Sequence, residues 1–302
     1  MINIASPVIE EEERRAVNEV IESGMLAQGP KVAELEESWA KYCGVKHALA
    51  VNSGTAAIHC ALYAAGVGEG DEVITTPYSF IATINPILML GARPVLVDID
   101  EETFNIDVSK IEAAITDKTK AIIPVDLYGQ PCDWKELREI ADKHELKIIE
   151  DACQAIGAEY DGVKTGALGD FGCFSLYATK NIMCGEGGVV TTNSDDAAAA
   201  IRSFRQHGMT SSYEYADLGY NYRMSDLHGA IAVEQLKKVE DFTNRRQHNA
   251  NMLNEALAGI EKIVLPKIAS NRNHVYHQYT ILLDKSIRRD DFIAKLREKG
   301  VG

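Results

Sequence analysis

The chain has 302 residues, room for two domains of about 150 residues or one large α/β domain. Its 45 acidic against 31 basic side chains leave a formal net charge of −14, which argues against binding to a nucleic-acid backbone or to anionic lipid. With 46% hydrophobic and 25% charged residues, the composition is that of a chain with a sizeable packed core rather than a disordered one.

The N-terminal residues run into Glu10-Glu11-Glu12-Glu13 without the cationic and apolar regions of a secretory signal. No stretch approaches the roughly 18 apolar residues of a membrane span. Six cysteines lie at irregular spacings with no Cys-x-x-Cys pair, which reads as free thiols in a reducing cytoplasm. The expectation is a cytoplasmic protein that contacts neither membrane nor nucleic acid.

Glu10–Glu22 has helical periodicity that Gly24 would stop, and a second helix is predicted over Lys31–Tyr42. An alternation follows: strand Ala48–Val51, helix Ala56–Ala65, strand Glu72–Thr75, helix Phe80–Leu90, strand Pro94–Val97, helix Val108–Ile115. It continues with strand Ala121–Val125, helix Trp134–His144 and strand Lys147–Ile149. Strands alternating with helices of about ten residues predict an α/β fold with a largely parallel sheet covered on both faces. After Asp170 come short strands at Cys173–Leu176 and Gly188–Thr192, a helix Asp195–His207, and one long helix from Ser225 to Asn254. From Ile260 a smaller unit is predicted: a loop at Pro266, a strand across Tyr279–Leu283 and a helix over Asp290–Glu298.

Four clusters carry candidate chemistry. Ser53-Gly54-Thr55-Ala56-Ala57 follows a strand and opens a helix, where free backbone N–H groups and hydroxyls meet the positive helix end and suit an anion. It reads equally well as an N-capped turn, and it lacks the Gly-Lys-Ser/Thr of a nucleotide-binding loop. Glu150-Asp151-Ala152-Cys153-Gln154 stands at a strand's carboxyl end, where ligands of parallel sheets sit; its adjacent carboxylates point to opposite faces. Phe174 to Asn181, followed by Gly185-Glu186-Gly187-Gly188, holds Lys180, a nucleophilic amine if its surroundings are tight and apolar. Gly219 to Asp226 is an aromatic-rich loop in which Ser225 would cap the next helix. Each alone has a purely structural reading.

Together, in this order, the clusters resemble those of the DegT/DnrJ/EryC1/StrS sugar-nucleotide aminotransferase family, over Gly29-Pro30 through Gly300. The resemblance implies the fold type I aminotransferase architecture: a large pyridoxal phosphate-binding domain over 1–255, with a mostly parallel seven-stranded sheet between helices. A smaller C-terminal α+β domain over 256–302 would follow. Lys180, in Tyr-Ala-Thr-Lys-Asn-Ile, would bond covalently to pyridoxal 5'-phosphate and Asp151 would face the pyridine nitrogen. Gln154 would lie near the ring, Phe80 would stack on it, and Gly54, Thr55 and Ser175 would contact the phosphate. Asn221 would reach the phosphate of a neighbouring subunit, implying a homodimer with shared sites. No metal site is implied. The substrates implied are a keto sugar linked to a nucleoside diphosphate and an amino donor, glutamate. A same-fold sugar dehydratase, which replaces the lysine by histidine, and a non-catalytic regulatory relative are the alternatives; the intact Lys180 favours transamination. Lys31, Arg205 and Arg223 are candidate cations for a diphosphate.

Two departures from the family pattern stand out. Ala178 replaces a frequent proline two residues before the lysine, and His228-Gly229 replaces Gln-Ala, which is expected to loosen the start of the long helix. Members of the family usually continue past the position of Gly302, so an incomplete small domain is expected.

Overall fold

A computed structural model describes residues 1–302. The helices are α1 (Glu11–Ser23), α2 (Pro30–Cys43), α3 (Gly54–Ala64), α4 (Asn85–Met89), α5 (Trp134–Lys143), α6 (Asp195–Phe204), α7 (Asp226–Lys237), α8 (Val239–Leu257) and α9 (Arg289–Glu298). The strands are β1 (His47–Val51), β2 (Glu72–Thr75), β3 (Arg93–Leu96), β4 (Thr119–Ile122), β5 (Lys147–Asp151), β6 (Glu159–Tyr160), β7 (Val163–Lys164), β8 (Phe171–Ser175) and β9 (Gly188–Thr192). Short ribbons follow in β10 (Met209–Ser211), β11 (Glu214–Tyr215), β12 (Ile263–Val264), β13 (Arg272–Asn273) and β14 (Leu282–Leu283).

Seven strands form the central sheet in the order β1-β9-β8-β5-β4-β2-β3. The run from β8 to β3 is parallel, and β9 lies antiparallel to both β8 and β1. One core joins α3 and α6 to one face of the sheet, and a second joins α2 and α7 to the other. Burial on both faces explains why β2 and β8 read as runs without polar alternation. The architecture is the expected one.

Several element boundaries differ from the sequence prediction. The predicted helix Phe80–Leu90 is a 3-10 turn, Ile81–Thr83, followed by the short α4. Pro86 donates no backbone hydrogen bond, so it is accommodated only in a helix's first turn, and Phe80 stays extended. Val108–Ile115 is likewise two 3-10 turns; the Asp107 carboxylate takes the Ser109 N–H and hydroxyl and tightens the first. The predicted long helix divides at Lys238, the junction between α7 and α8, whose ammonium meets Glu10, Glu12 and Glu13. The hairpin of β6 and β7 gave no signal in the sequence; two-residue strands are too short to show a period. β13 adds to it, so residues 272–273 pack on the large unit.

His228 and Gly229 do not loosen the start of α7. Ser225 caps the helix through the His228 N–H, and its hydroxyl meets His228 Nδ1 at 2.8 Å. A Cβ at Gly229 would stand 3.0 Å from the Val32 amide, so glycine lets the first turn of α2 come close. Asp226 then accepts N–H groups from Gly29, Lys31 and Val32 at 2.8–3.1 Å, capping α2 from another helix.

Candidate active site

The site lies at the carboxyl ends of the parallel strands, where such sheets open to ligands. A cleft of about 440 Å³ collects Gly54, Thr55, Phe80, Asp151, Gln154, Ser175 and Lys180, seven residues singled out in the sequence.

One wall is the start of α3. Ser53 accepts the Ala56 N–H at 3.1 Å, while the first helical N–H groups, at Gly54 and Thr55, have no intrahelical acceptor. They and the helix dipole favour an anion there. A Cβ on Gly54 would stand 2.8 Å from Ser175 Cβ and 3.1 Å from Cys153 Sγ. Glycine therefore lets the helix end sit directly against the end of β8, which brings the Ser175 hydroxyl beside those amides.

Asp151 ends β5, only 4% exposed. Thr83 Oγ1 donates to Asp151 Oδ2 at 2.7 Å, and the Cys153 N–H donates to Oδ1 at 3.2 Å. Strand alternation turns Glu150 to the opposite face, where it accepts the Gly166 N–H at 2.8 Å. Burial, then the neighbouring Asp126, pushes the Glu150 carboxyl well above the usual carboxylate range, and burial raises Asp126 to about 7. Of the two adjacent carboxylates, Asp151 serves the cleft and Glu150 the interior. Gln154 Oε1 accepts the Tyr128 N–H at 2.9 Å, which fixes the side chain and leaves its amide NH2 to other acceptors. Phe80 stands on the rim, 71% exposed.

Lys180 sits half-buried in a loop closed by backbone bonds: Lys180 N–H to Tyr177 O at 2.9 Å and Ala178 N–H to Gly185 O at 3.1 Å. These bonds shape the loop without the proline that Ala178 replaces.

The sequence reading missed three polar residues that line the same cleft: Thr83, His277 and Gln278. Thr83 falls within the stretch read as a plain helix. His277 and Gln278 arrive from far along the chain. The Val275 N–H donates to Gly129 O at 2.9 Å, Asn181 Nδ2 to Val275 O at 3.0 Å, and Asn181 Oδ1 meets His277 Nδ1 at 3.2 Å. Gly129 has φ +105°, and a Cβ there would stand 2.9 Å from Val275 Cγ2, so only glycine suits this crossing. Burial, with the cations Lys180 and Arg246 nearby, lowers the His277 pKa to about 3 and keeps the ring neutral.

Asn221 lies outside this cleft, exposed, its carbonyl accepting the Asn52 amide at 3.3 Å. Arg205 is buried against Glu36 and the Ala50 carbonyl, and Lys31 pairs with Glu34; neither lines the cleft. Arg205 is a structural cation, its guanidinium spent inside the protein, and Lys31 is the surface cation of an i,i+3 pair. Arg223 also lies outside the cleft and pairs through its backbone with Val51.

An anion cradle at a helix start, a carboxylate held at a strand end and a lysine in one cleft fit pyridoxal phosphate: phosphate, ring nitrogen and aldehyde each have a chemically matched partner. Fold and site together are those of a fold type I, pyridoxal phosphate-dependent aminotransferase. Residues 7–302 match the model of the DegT/DnrJ/EryC1/StrS aminotransferase family, and the chain belongs to that family. It is 42% identical to GDP-perosamine synthase of Caulobacter vibrioides, covering 99% of this chain and 82% of that one. It is 40% identical to the spore coat polysaccharide biosynthesis protein SpsC of Bacillus subtilis, covering 97% and 79%. Among solved structures it resembles S. venezuelae DesV with TM-score 0.93 and 37% identity, over 96% of this chain and 78% of that one. No helix is long and apolar enough to cross a membrane.

Proposed function

We propose that this enzyme moves an amino group from glutamate to a keto sugar carried on a nucleoside diphosphate, giving an amino-deoxy sugar nucleotide. The observation that carries the reading is the shared cleft of Lys180, Asp151 and the open N–H groups of α3. The names of the relatives, a perosamine synthase and a spore-polysaccharide protein, support a sugar as the acceptor.

When bound, the cofactor supplies an electron sink and carries the amino group between the two substrates. Gly54, Thr55 and Ser175 would hold its phosphate, while Phe80 and Gln154 would contact its ring. Asp151, fixed by Thr83, would keep a proton on the ring nitrogen. Lys180 Nζ takes the proton from the donor's α-carbon and later returns one to the sugar carbon. Neutral His277 adds no competing charge beside that amine. In the proposed homodimer, Asn221 reaches the phosphate of the neighbouring subunit, which its exposure outside its own cleft suits.

The test is spectroscopic. The cofactor-loaded enzyme should show a visible band that glutamate converts and that borohydride locks onto Lys180. A panel of keto sugar nucleotides should then restore the band with one member preferred. A Lys180→Ala variant that transaminates at the native rate would sink the reading. For the shared sites, mixing Lys180→Ala with Asn221→Ala subunits should recover activity that neither has alone. The intact Lys180 speaks against the dehydratase alternative, and a regulatory relative that keeps the pocket without turnover is told apart by glutamate leaving the band unconverted.

A further inference from the structure

Behind the lysine loop lies a second cavity of about 350 Å³ that shares only Thr179 and Lys180 with the main cleft. Its cations, Arg245 and Arg246, come from α8, and Pro7, Val8 and Phe242 give it apolar surface. The N-terminal wall is tied down: Gln235 Nε2 donates to Val8 O at 2.9 Å and to Glu13 Oε1 at 2.7 Å.

Arg246 is the unusual member. Its guanidinium spends one nitrogen on the carbonyls of Tyr276 and His277, at 3.1 and 3.4 Å, and its other two nitrogens donate to no protein acceptor. No carboxylate pairs with it, whereas neighbouring Arg245 has Asp241 at 3.8 Å. Burial holds its pKa below the ordinary guanidinium value, the mark of a desolvated cation without a counter-charge. The free edge of the fork matches a carboxylate in geometry.

We propose that Arg246 is the anchor of a carboxylate-binding pocket, which holds the distal carboxylate of a dicarboxylic amino donor while its α-amine meets the cofactor. The proposal rests on the transaminase reading above. Two features favour a carboxylate over the sugar nucleotide's diphosphate. The cavity shares Thr179 and Lys180 with the main cleft, so an anion there lies against the loop that carries the reacting lysine. Its apolar side also suits a short methylene chain between two charged ends.

The test uses binding, not turnover. Titration calorimetry of the cofactor-loaded enzyme would compare glutarate with glutaramate, in which one carboxylate is a neutral amide of nearly the same shape. Glutarate should bind at least tenfold more tightly. Arg246→Gln should erase most of that preference while changing glutaramate binding less than twofold, and Arg246→Lys should restore part of it. Because Arg246 also holds two carbonyls, a second variant, Phe242→Trp, narrows the cavity without touching them; it should weaken glutarate and leave cofactor affinity unchanged. Equal wild-type affinity for the two ligands, no glutarate binding, or a preference that survives Arg246→Gln would overturn the proposal. So would a loss of GDP or UDP binding in Arg246→Gln with glutarate unaffected. If the preference behaves as expected but glutamate leaves the visible band unchanged, the pocket stands and the transaminase reading falls.

Discussion

Thr83 Oγ1 donates to Asp151 Oδ2 across 2.7 Å, and Ser79 Oγ lies 2.8 Å behind Thr83 Oγ1. The carboxylate proposed to face the ring nitrogen is thus aimed by a hydroxyl from the turn between β2 and α4. That turn is 3-10 rather than α-helical, since Pro86 is accommodated only at the start of α4, so a local sequence constraint helps decide how the site carboxylate points.

Thr83→Val keeps the shape of the side chain and removes this donor. A hydrogen bond to a charged group contributes about 1.5–3 kcal/mol, so the rate should fall roughly ten- to a hundredfold. The pH titration of the bound cofactor's visible band should move, whereas a purely packing role for Thr83 would change thermal stability and leave that titration in place.

Gly54→Ala places a methyl group 2.8 Å from Ser175 Cβ, and the start of α3 must move off the end of β8. Overpacking of this kind costs about 1–3 kcal/mol. Cofactor affinity should weaken at least tenfold, measured by fluorescence titration, with a lower Tm already in the cofactor-free protein. Unchanged affinity would exclude the phosphate cradle.

The buried pair Asp126 and Glu150 gives stability a pH dependence of definite sign. Asp126, raised by burial to about 7, holds its proton more tightly folded than unfolded. Its contribution therefore favours folding at low pH and is lost as pH rises from about 4 through about 7. Asp126→Asn keeps an acceptor for the Cys132 N–H and removes this carboxyl's own titration, leaving that of Glu150. In denaturant melts, the variant should lose less stability than wild type between pH 5 and pH 8. The difference should approach about 1.4 kcal/mol for every pH unit of that interval over which only the folded carboxyl keeps its proton.

His274 acts in the opposite direction. Its Nδ1 accepts the Tyr276 N–H at 2.9 Å, so the ring must be neutral there, and burial lowers its pKa to about 4. Stability from this group is present above about pH 6.5 and lost as pH falls toward 4. Asn at position 274 still offers an oxygen to that N–H, and His274→Asn should flatten the acid side of the Tm–pH curve. Since the same segment brings His277 to the cleft, wild-type cofactor release should steepen over that acid range, followed by the visible band.

Much of this molecule is legible locally. Strand ends, helix starts and the order of the four clusters follow from short-range periodicity and from residue types whose conformational preferences act within a few positions. Ser53, Asp151 and Lys180 could be placed at strand ends or in a glycine-bounded loop for that reason. Where the reading failed locally, at Phe80–Leu90 and Val108–Ile115, one proline and one turn-capping aspartate overrode the helical period, and the long helix divided at Lys238.

The sequence by itself determined the α/β alternation and singled out the residues proposed to hold the cofactor, because those properties reside in single residues and their near neighbours. Only the tertiary structure decided what holds these residues in place. Thr83 meets Asp151 across 68 positions, Asn181 meets His277 across 96, and Asp226 caps Gly29 across 197. Such contacts arise when a sheet with crossovers brings distant strand ends to one edge, and no local period encodes them. Arg246, held by two carbonyls and facing no carboxylate, belongs with them: whether an arginine has a counter-charge is a fact about the space around it.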